Sequence, residues 1–165
     1  MRVFAIVLLG LLVAAAGVAV PVMWFELRDL RAADEAAAQA LTAARRAAPD
    51  LLSYDYRTVE KDLARARAHT TGELSSYYGQ LNTSLVSRAK AQKIVQTVSV
   101  AGAGVERAEA GRVEVLLIVN MGTVKEASGE DGLQQGFTQN RARLVMVRQE
   151  SRWLVADLST LLGTA

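Results

Sequence analysis

An uncharged stretch over residues 3–25 constrains this chain more than any other feature. A helix of that length, at about 1.5 Å of rise per residue, extends roughly 34 Å and can cross a hydrocarbon core of about 30 Å. Thirteen of its residues are Val, Ile, Leu or Phe, and Trp24 lies at its far end, where interfacial aromatic side chains concentrate. We therefore interpret residues 1–25 as a transmembrane anchor. The positive charge of Arg2 predicts a cytoplasmic N-terminus, with the remaining chain on the extracytoplasmic side of the plasma membrane.

The same stretch has an alternative interpretation as a cleaved signal peptide. Residues 3–13 are similar to an h-region, and Ala14-Ala15-Ala16 offers a cleavage site. Cleavage there would leave the apolar residues 17–25 at the new N-terminus, and Arg2 alone would form the positive n-region. The uninterrupted length favours the anchor.

Small residues recur on one face of the predicted anchor. Gly10, Ala14 and Gly17 are spaced so that they share a helical face, and small side chains there let a second membrane helix approach closely. The pattern predicts a helix–helix interface in the membrane. Ordinary use of Ala and Gly in an Ala-rich chain explains the same residues equally well.

The composition beyond the anchor excludes several classes of function. Eighteen of the nineteen basic residues and all seventeen acidic residues lie there, so this part carries a net charge of about +1. Such a balance argues against nucleic acid as a partner. The absence of cysteine excludes disulfides, thiol nucleophiles and thiolate metal sites. About 140 residues are enough for one domain with its own core.

Helical periodicity dominates the first part of this domain. Residues 26–52 are predicted to form a membrane-proximal helix that continues the anchor and is ended or kinked by Pro49. A second helix is predicted to begin at an N-cap Thr58 and to end before Gly72, and a third helix follows it. The apolar face of the third helix consists of Leu74, Tyr77, Tyr78, Leu81 and Leu85.

From Val95 onward, apolar residues alternate with polar ones, as they do in strands. Gly102 and Gly104 predict a bulge or bend in the first strand, and residues 112–121 predict a central strand. Residues 123–136 contain three glycines and predict a long polar connection.

Two further strands are predicted over residues 138–148 and 153–158. Helices first and antiparallel strands second is the pattern of an α+β domain. We therefore expect residues 53–165 to form helices packed on one face of a curved antiparallel sheet of about four strands.

The sequence contains no catalytic constellation. His69 is the only histidine, and it lacks any metal-binding motif or obvious carboxylate partner. Asp55 and Asp157 are the only candidates to pair with it in acid–base chemistry. No serine has a G-x-S-x-G context, and no glycine-rich stretch matches a dinucleotide fingerprint. We expect a protein without enzymatic activity, cofactor or metal.

Seven aromatic and acidic residues are candidates for pocket or partner contacts. Asp55 could line the mouth of a cone of helices over the sheet, or could cap a turn, which is a normal role for Asp. Asp157 could be an edge-strand charge or point into a pocket. The aromatic side chains of Tyr77, Tyr78 and Trp153 are more typical of core packing than of a ligand platform. The full set is Tyr54, Asp55, Tyr56, Tyr77, Tyr78, Trp153 and Asp157.

Three motifs, in this order and spacing, carry a resemblance that covers nearly the whole chain. They are Ser53-Tyr54-Asp55-Tyr56, Thr71-Gly72-Glu73 and Trp153-Leu154-Val155. Together with the N-terminal anchor, the Ala-rich helix and residues 98–120, they resemble the actinobacterial Mce-associated membrane proteins.

This resemblance implies a cystatin-like α+β cone of the nuclear-transport-factor-2-like superfamily. It also implies an accessory subunit that stabilises or assembles mammalian-cell-entry (Mce) lipid importers, with no catalytic site. The implied partners are the membrane, importer subunits or related Mce-associated proteins, and lipid. Two alternatives stay open: a tethered lipid-binding module, and a bitopic component of a type IV or conjugative secretion machine.

Overall fold

The structure is a computed structural model that describes residues 28–126 and 132–161. Its elements in chain order are α1 (residues 28–52), β1 (Tyr54–Asp55), α2 (Val59–Ala68), α3 (Gly72–Ala91), β2 (Val95–Glu109), β3 (Arg112–Glu126), β4 (Leu133–Gln149) and β5 (Arg152–Leu161). The five strands form one antiparallel sheet in the order β1-β2-β3-β4-β5. The α+β prediction is confirmed. The strand beyond the expected four is β1, which is too short to show alternation.

The predicted anchor, residues 1–25, lies outside the described residues, and so does the face formed by Gly10, Ala14 and Gly17. Within residues 28–126 and 132–161, no helix has the length and hydropathy that a membrane span requires. The described part of the predicted membrane-proximal helix, residues 28–52, is helical throughout.

The core lies between α1 and the inner face of the sheet. Alternate residues of β3 are fully buried there: Val113, Val115, Leu117 and Val119. The α1 side chains in the same cluster are small and buried: Ala36, Ala40, Ala44, Ala47 and Ala48. Alanine on the buried side lets the helix lie close to the sheet, so the interior is filled by aliphatic side chains.

Pro49 does not end α1; an end there is one of the two outcomes that the sequence predicts, the other being a kink. The helix continues to residue 52, and the Pro49 carbonyl accepts the Ser53 N–H at 2.9 Å. A proline removes one helical hydrogen bond. Burial of Ala48 and Leu51 on either side of Pro49 outweighs that loss, because most helical stability in proteins comes from tertiary packing.

The long connection predicted over residues 123–136 is wrong at both ends. Residues 123–126 extend β3, and residues 133–136 belong to β4, in a ladder that continues without a register shift to Glu126↔Leu133. Polar and glycine residues are weak strand formers on their own, but ladder hydrogen bonds with a neighbouring strand override that preference. The bulge expected at the β2 glycines is confirmed, since the register shifts between Val100 and Gly102.

Candidate functional site

Two surface regions contain four of the seven candidate residues, Asp55 in the first and Tyr77, Tyr78 and Asp157 in the second. The first, the α1–β1–α2 cluster, consists of Asp50, Asp55, Asp62, Arg65 and His69. The second, the α3–β5 cleft, consists of Glu73, Leu74, Tyr77, Tyr78, Asp157 and Leu158. The first region joins three consecutive elements, whereas the second joins α3 to β5, which are distant in sequence.

Asp62 lies at the centre of the α1–β1–α2 cluster and is only 8% exposed. Its Oδ2 accepts the Asp55 backbone N–H at 3.1 Å and the Thr58 hydroxyl at 2.8 Å, and its Oδ1 accepts the Arg65 guanidinium at 2.8 Å. These bonds join the start of α2 to β1. The sequence carries a signal for this role, because Asp62 falls on the apolar stripe of α2 between Val59 and Ala66.

Asp55 caps the turn between β1 and α2. Its Oδ1 accepts both the Arg57 backbone N–H and the Arg57 Nε–H at 2.9 Å. These hydrogen bonds lower the pKa of the Asp55 carboxyl, the side-chain bonds to Arg57 contributing most. This geometry matches the turn-capping role that the sequence left open for Asp55. Thr58 is the N-cap residue of α2 by position, but its hydroxyl donates to Asp62 instead of accepting a backbone N–H.

His69 is paired with Asp50, and not with Asp55 or Asp157 as the sequence suggests. The His69 Nε2 lies 3.0 Å from Asp50 Oδ2, and Arg65 lies 3.5 Å from the other oxygen of Asp50. The backbone of His69 connects α2 to the sheet, since its carbonyl accepts the Val155 N–H at 2.8 Å. The sequence does not identify Asp50 as the partner of His69, because Asp50 lies in the last turn of α1, nineteen positions away.

A cavity of about 320 Å³ adjoins this cluster. Its lining includes Asp50, Tyr54, Asp55 and Asp62. Burial raises the pKa of Tyr54, and the Arg88 charge opposes that shift. Tyr56, next along the chain, packs partly against the core, and the Arg57 guanidinium carbon lies 5.5 Å from its ring centroid. The carboxylates of this region therefore hold the β1 turn and the ends of α1 and α2 together.

The α3–β5 cleft, with a volume of about 550 Å³, brings together Tyr77, Tyr78 and Asp157. The two tyrosine rings meet edge to face at 6.2 Å, but their environments differ. Tyr78 is buried and donates to the Leu51 carbonyl at 2.8 Å, and burial raises the pKa of Tyr78 to about 12. Tyr77 is 56% exposed, so the core-packing interpretation is wrong for it. Asp157 is exposed on β5.

Trp153 packs partly against the core at the start of β5, which agrees with the core-packing interpretation. Its indole Nε1 donates to the Gln39 side chain of α1 at 3.2 Å.

In the described part of the chain, no group of three His, Cys, Asp or Glu residues is arranged to hold a metal ion. The α3–β5 cleft is lined by the exposed ring of Tyr77 and by the carboxylates of Glu73 and Asp157. Exposed aromatic side chains are suited to protein contacts.

Helices packed on one face of a five-stranded antiparallel sheet define an α+β fold, and solved proteins of the NTF2-like and type IV secretion kinds share it. A solved NTF2-like protein involved in plasmid conjugation is similar to this domain, with a TM-score of 0.53 and 13% identity over 78% of this chain and 50% of that one. An IcmL-like type IV secretion system protein of Legionella pneumophila has a TM-score of 0.56 and 13% identity, over 75% of this chain and 91% of that one. CagV, a VirB8 homolog of the Helicobacter pylori type IV secretion system, has a TM-score of 0.57 and 8% identity, over 74% of this chain and 96% of that one. Such low identities establish the fold alone.

In sequence, the chain is similar to the uncharacterized protein Rv1362c of Mycobacterium tuberculosis strain H37Rv and to MT1407 of strain CDC 1551. Each is 29% identical over 141 residues, which are 82% of this chain and 62% of the relative. The chain therefore spans less than two thirds of the length of these relatives. No protein-family model matches the chain. None of these proteins carries the Mce name, so membership of the Mce-associated family stays a prediction.

Proposed function

We propose that this protein is a non-enzymatic assembly subunit of a multi-subunit machine in the cell envelope. In this proposal the N-terminal anchor holds the α+β domain on the extracytoplasmic side of the plasma membrane, where the domain binds protein partners. The single observation that carries the proposal is the α3–β5 cleft, in which an aromatic ring without a packing role in the core is presented to solvent.

The filled interior of the domain supports a role based on surfaces. Leu117, Leu144 and Met146 have no exposed area, and they pack with the alanines of α1 in one cluster. A lipid-binding module needs a space of several hundred Å³ lined by apolar side chains. Aliphatic side chains fill the space between α1 and the inner face of the sheet. The apolar-lined cavity that the domain does have, about 520 Å³, is an open one between the start of α1 and the end of β2, at Leu30, Ala33 and Ala108. The filled core therefore favours protein binding over a lipid site between the helices and the sheet.

The chemistry of the α3–β5 cleft defines the partner segment that it would accept. Tyr77 and Leu74 supply apolar surface, and Glu73 and Asp157 supply negative charge beside it. Aromatic side chains are enriched at the centres of protein interfaces. The best fit is therefore an apolar or aromatic side chain flanked by Lys or Arg.

Two kinds of machine are candidates, each favoured by a different observation. The shared fold of type IV secretion and conjugation proteins supports a secretion-type complex. The Ser53-Tyr54-Asp55-Tyr56 motif and the mycobacterial relatives support an accessory role in an Mce lipid importer. The structural likeness extends over three quarters of the chain, and we therefore place the secretion-type complex first.

Affinity purification of the tagged full chain from native membranes in mild detergent, followed by mass spectrometry, tests this proposal. Secretion-channel subunits are expected to co-purify; importer permease and substrate-binding subunits would instead identify an Mce complex. A Tyr77→Ser variant is expected to lose these partners, and Thr83→Ala, an exposed change outside the cleft on the same helix, is expected to retain them. A protein that purifies alone, or that retains its partners with Tyr77→Ser, would contradict the proposed role of the cleft.

A further inference from the structure

One segment of the sheet has an edge that no strand covers among the described residues. Strand β4 pairs with β3 along its whole length, and β5, whose described part ends at Leu161, pairs with residues 141–149 of β4. On the side away from β3, none of the described residues forms a strand beside residues 133–140, which we call the β4 edge segment. A free edge presents unpaired backbone N–H and C=O groups that can bind another strand.

The other outer edges of the sheet carry features that prevent such pairing. Strand β2 has two register shifts, and the Arg45 side chain donates to the Ala103 carbonyl on this strand. The charged side chains of Glu106, Arg107 and Glu109 lie farther along β2. Bulges and charges are the usual protection of edge strands in proteins.

The outer edge of β5 is covered in part by the chain that joins α2 to α3. The Val155 N–H donates to the His69 carbonyl at 2.8 Å, and the Val155 carbonyl accepts the Thr71 N–H at 3.0 Å. Within residues 28–126 and 132–161, no such backbone hydrogen bonds cover the β4 edge segment. Its sequence, Leu-Gln-Gln-Gly-Phe-Thr-Gln-Asn, contains no charge and no proline, and its register with β3 is unbroken.

The β4 edge segment also exposes large apolar side chains. Phe137 is 74% exposed and Leu133 is 65% exposed. Both lie on the same face of the strand, because side chains alternate between faces and these residues are four positions apart. Phe137 borders a groove of about 330 Å³ whose floor includes Gly122 and Thr97.

We propose that two copies of this chain pair in antiparallel orientation along their β4 edge segments, which joins the two sheets into one. With a two-fold axis between the strands, the numbers of two paired residues add up to an even sum. The reason is that the two members of a pair must match, either both directing their backbone groups toward the other strand or both directing them away. With the axis at Gly136, Phe137 lies opposite Gln135 of the second copy and diagonal to its Leu133. The segment is therefore self-complementary: it brings apolar side chains together and places no like charges in opposition.

Cross-linking through single cysteines tests this dimer, since the chain has none of its own. Gln135→Cys and Thr138→Cys are made in the full chain in mild detergent and treated with a short and a longer bismaleimide. With the axis at Gly136, the two Gln135 residues are diagonal neighbours roughly 8 Å apart, within reach of the short reagent, and the two Thr138 residues are about 14 Å apart, within reach of the longer one. Both variants are expected to give a covalent dimer. Lys61→Cys, exposed on α2, is the control and is expected to give none.

Disruption of the edge gives the second measurement. Phe137→Lys, combined with each cysteine, places a charge on the pairing strand and is expected to reduce the cross-linked fraction about tenfold. Phe137 is largely exposed, so we expect this variant to keep its fold, as checked by circular dichroism and thermal unfolding. Gly10→Leu with Gly17→Leu changes the predicted anchor interface, and strand cross-linking is expected to persist in that variant.

Three outcomes would overturn the proposed dimer. The first is the absence of cross-links at both strand positions, and the second is equal cross-linking at Lys61→Cys. The third is cross-linking that appears only after removal of residues 162–165, because it would mean that the chain's own C-terminus covers the edge. Loss of secretion or importer partners in the purification experiment has no bearing on these cross-links, so the two proposals fail independently.

Discussion

The hydroxyl of Tyr78 donates a 2.8 Å hydrogen bond to the carbonyl oxygen of Leu51, across 27 positions of sequence. Carbonyl groups in the last turn of a helix lack partners within the helix. Here the last turn of α1 is satisfied by side chains from other elements, since the Gln96 amide donates to the neighbouring Leu52 carbonyl. The end of α1 beyond Pro49 is thus held by α3 and β2, which explains why the helix continues past the proline.

Tyr78→Phe tests the importance of this bond for stability. The change leaves the ring in place but removes the donor to the buried Leu51 carbonyl, so we expect the free energy of unfolding to fall by about 1–2 kcal/mol. Urea unfolding of the full chain in mild detergent, followed by circular dichroism, measures the effect. Tyr77→Phe is the matched control, and its exposed hydroxyl predicts a change of less than about 0.5 kcal/mol. Equal losses in the two variants would contradict this role.

The raised pKa of Tyr78 predicts a dependence of stability on alkaline pH. Burial raises the pKa of Tyr78 from 10.0 to about 12, so the unfolded chain releases this proton at lower pH than the folded chain does. The stabilisation is therefore complete below pH 10 and is lost as the pH rises from about 10 to 12, by about 2–3 kcal/mol in total. Unfolding measured across this range should show a shallower slope for Tyr78→Phe. An unchanged slope would rule out Tyr78 as its source.

Asp62→Ala tests the centre of the α1–β1–α2 cluster. The change leaves the Asp55 N–H and the Thr58 hydroxyl without their acceptor and removes the ion pair with Arg65. We expect a loss of about 1–3 kcal/mol in the free energy of unfolding, because the partly buried Asp55 N–H loses its acceptor. Lys61→Ala, next along the same helix and exposed, is the control, with an expected change within about 0.5 kcal/mol. A comparably small change for Asp62→Ala would show that water replaces the carboxylate.

Ala44→Leu tests the close approach of α1 to the sheet. Ala44 has no exposed area and belongs to the same cluster as the β3 side chains, so the larger side chain must displace α1 or its neighbours. Overpacking of this kind typically destabilises by about 1–3 kcal/mol. Ala38→Leu makes the same change on the exposed side of α1 and is expected to leave the thermal unfolding temperature nearly unchanged. Equal melting temperatures for the two variants would indicate room at the buried position.

Local patterns in the sequence were sufficient to predict most elements of this domain. Alternation over the central strand predicts which residues are buried, and Val113, Val115, Leu117 and Val119 have no exposed area. Gly72, before which the second helix was predicted to end, has a left-handed φ of +60° and begins α3. These features depend on neighbours within one turn or one strand, because side-chain period and backbone preference are local properties.

Contacts between distant segments were decided only by the tertiary structure. Packing placed Asp50 beside His69, put Asp62 under the β1 turn and turned Tyr77 outward while Tyr78 was buried. Two tyrosines adjacent on a helix lie about 100° apart around its axis, so the elements packed around α3 decide which one meets the core, and here the end of α1 receives Tyr78. In the same way, β3 and β4 could extend through polar and glycine residues because each supplied the other's hydrogen bonds. Periodicity indicates which faces are apolar; the partner of each face depends on how the whole chain packs.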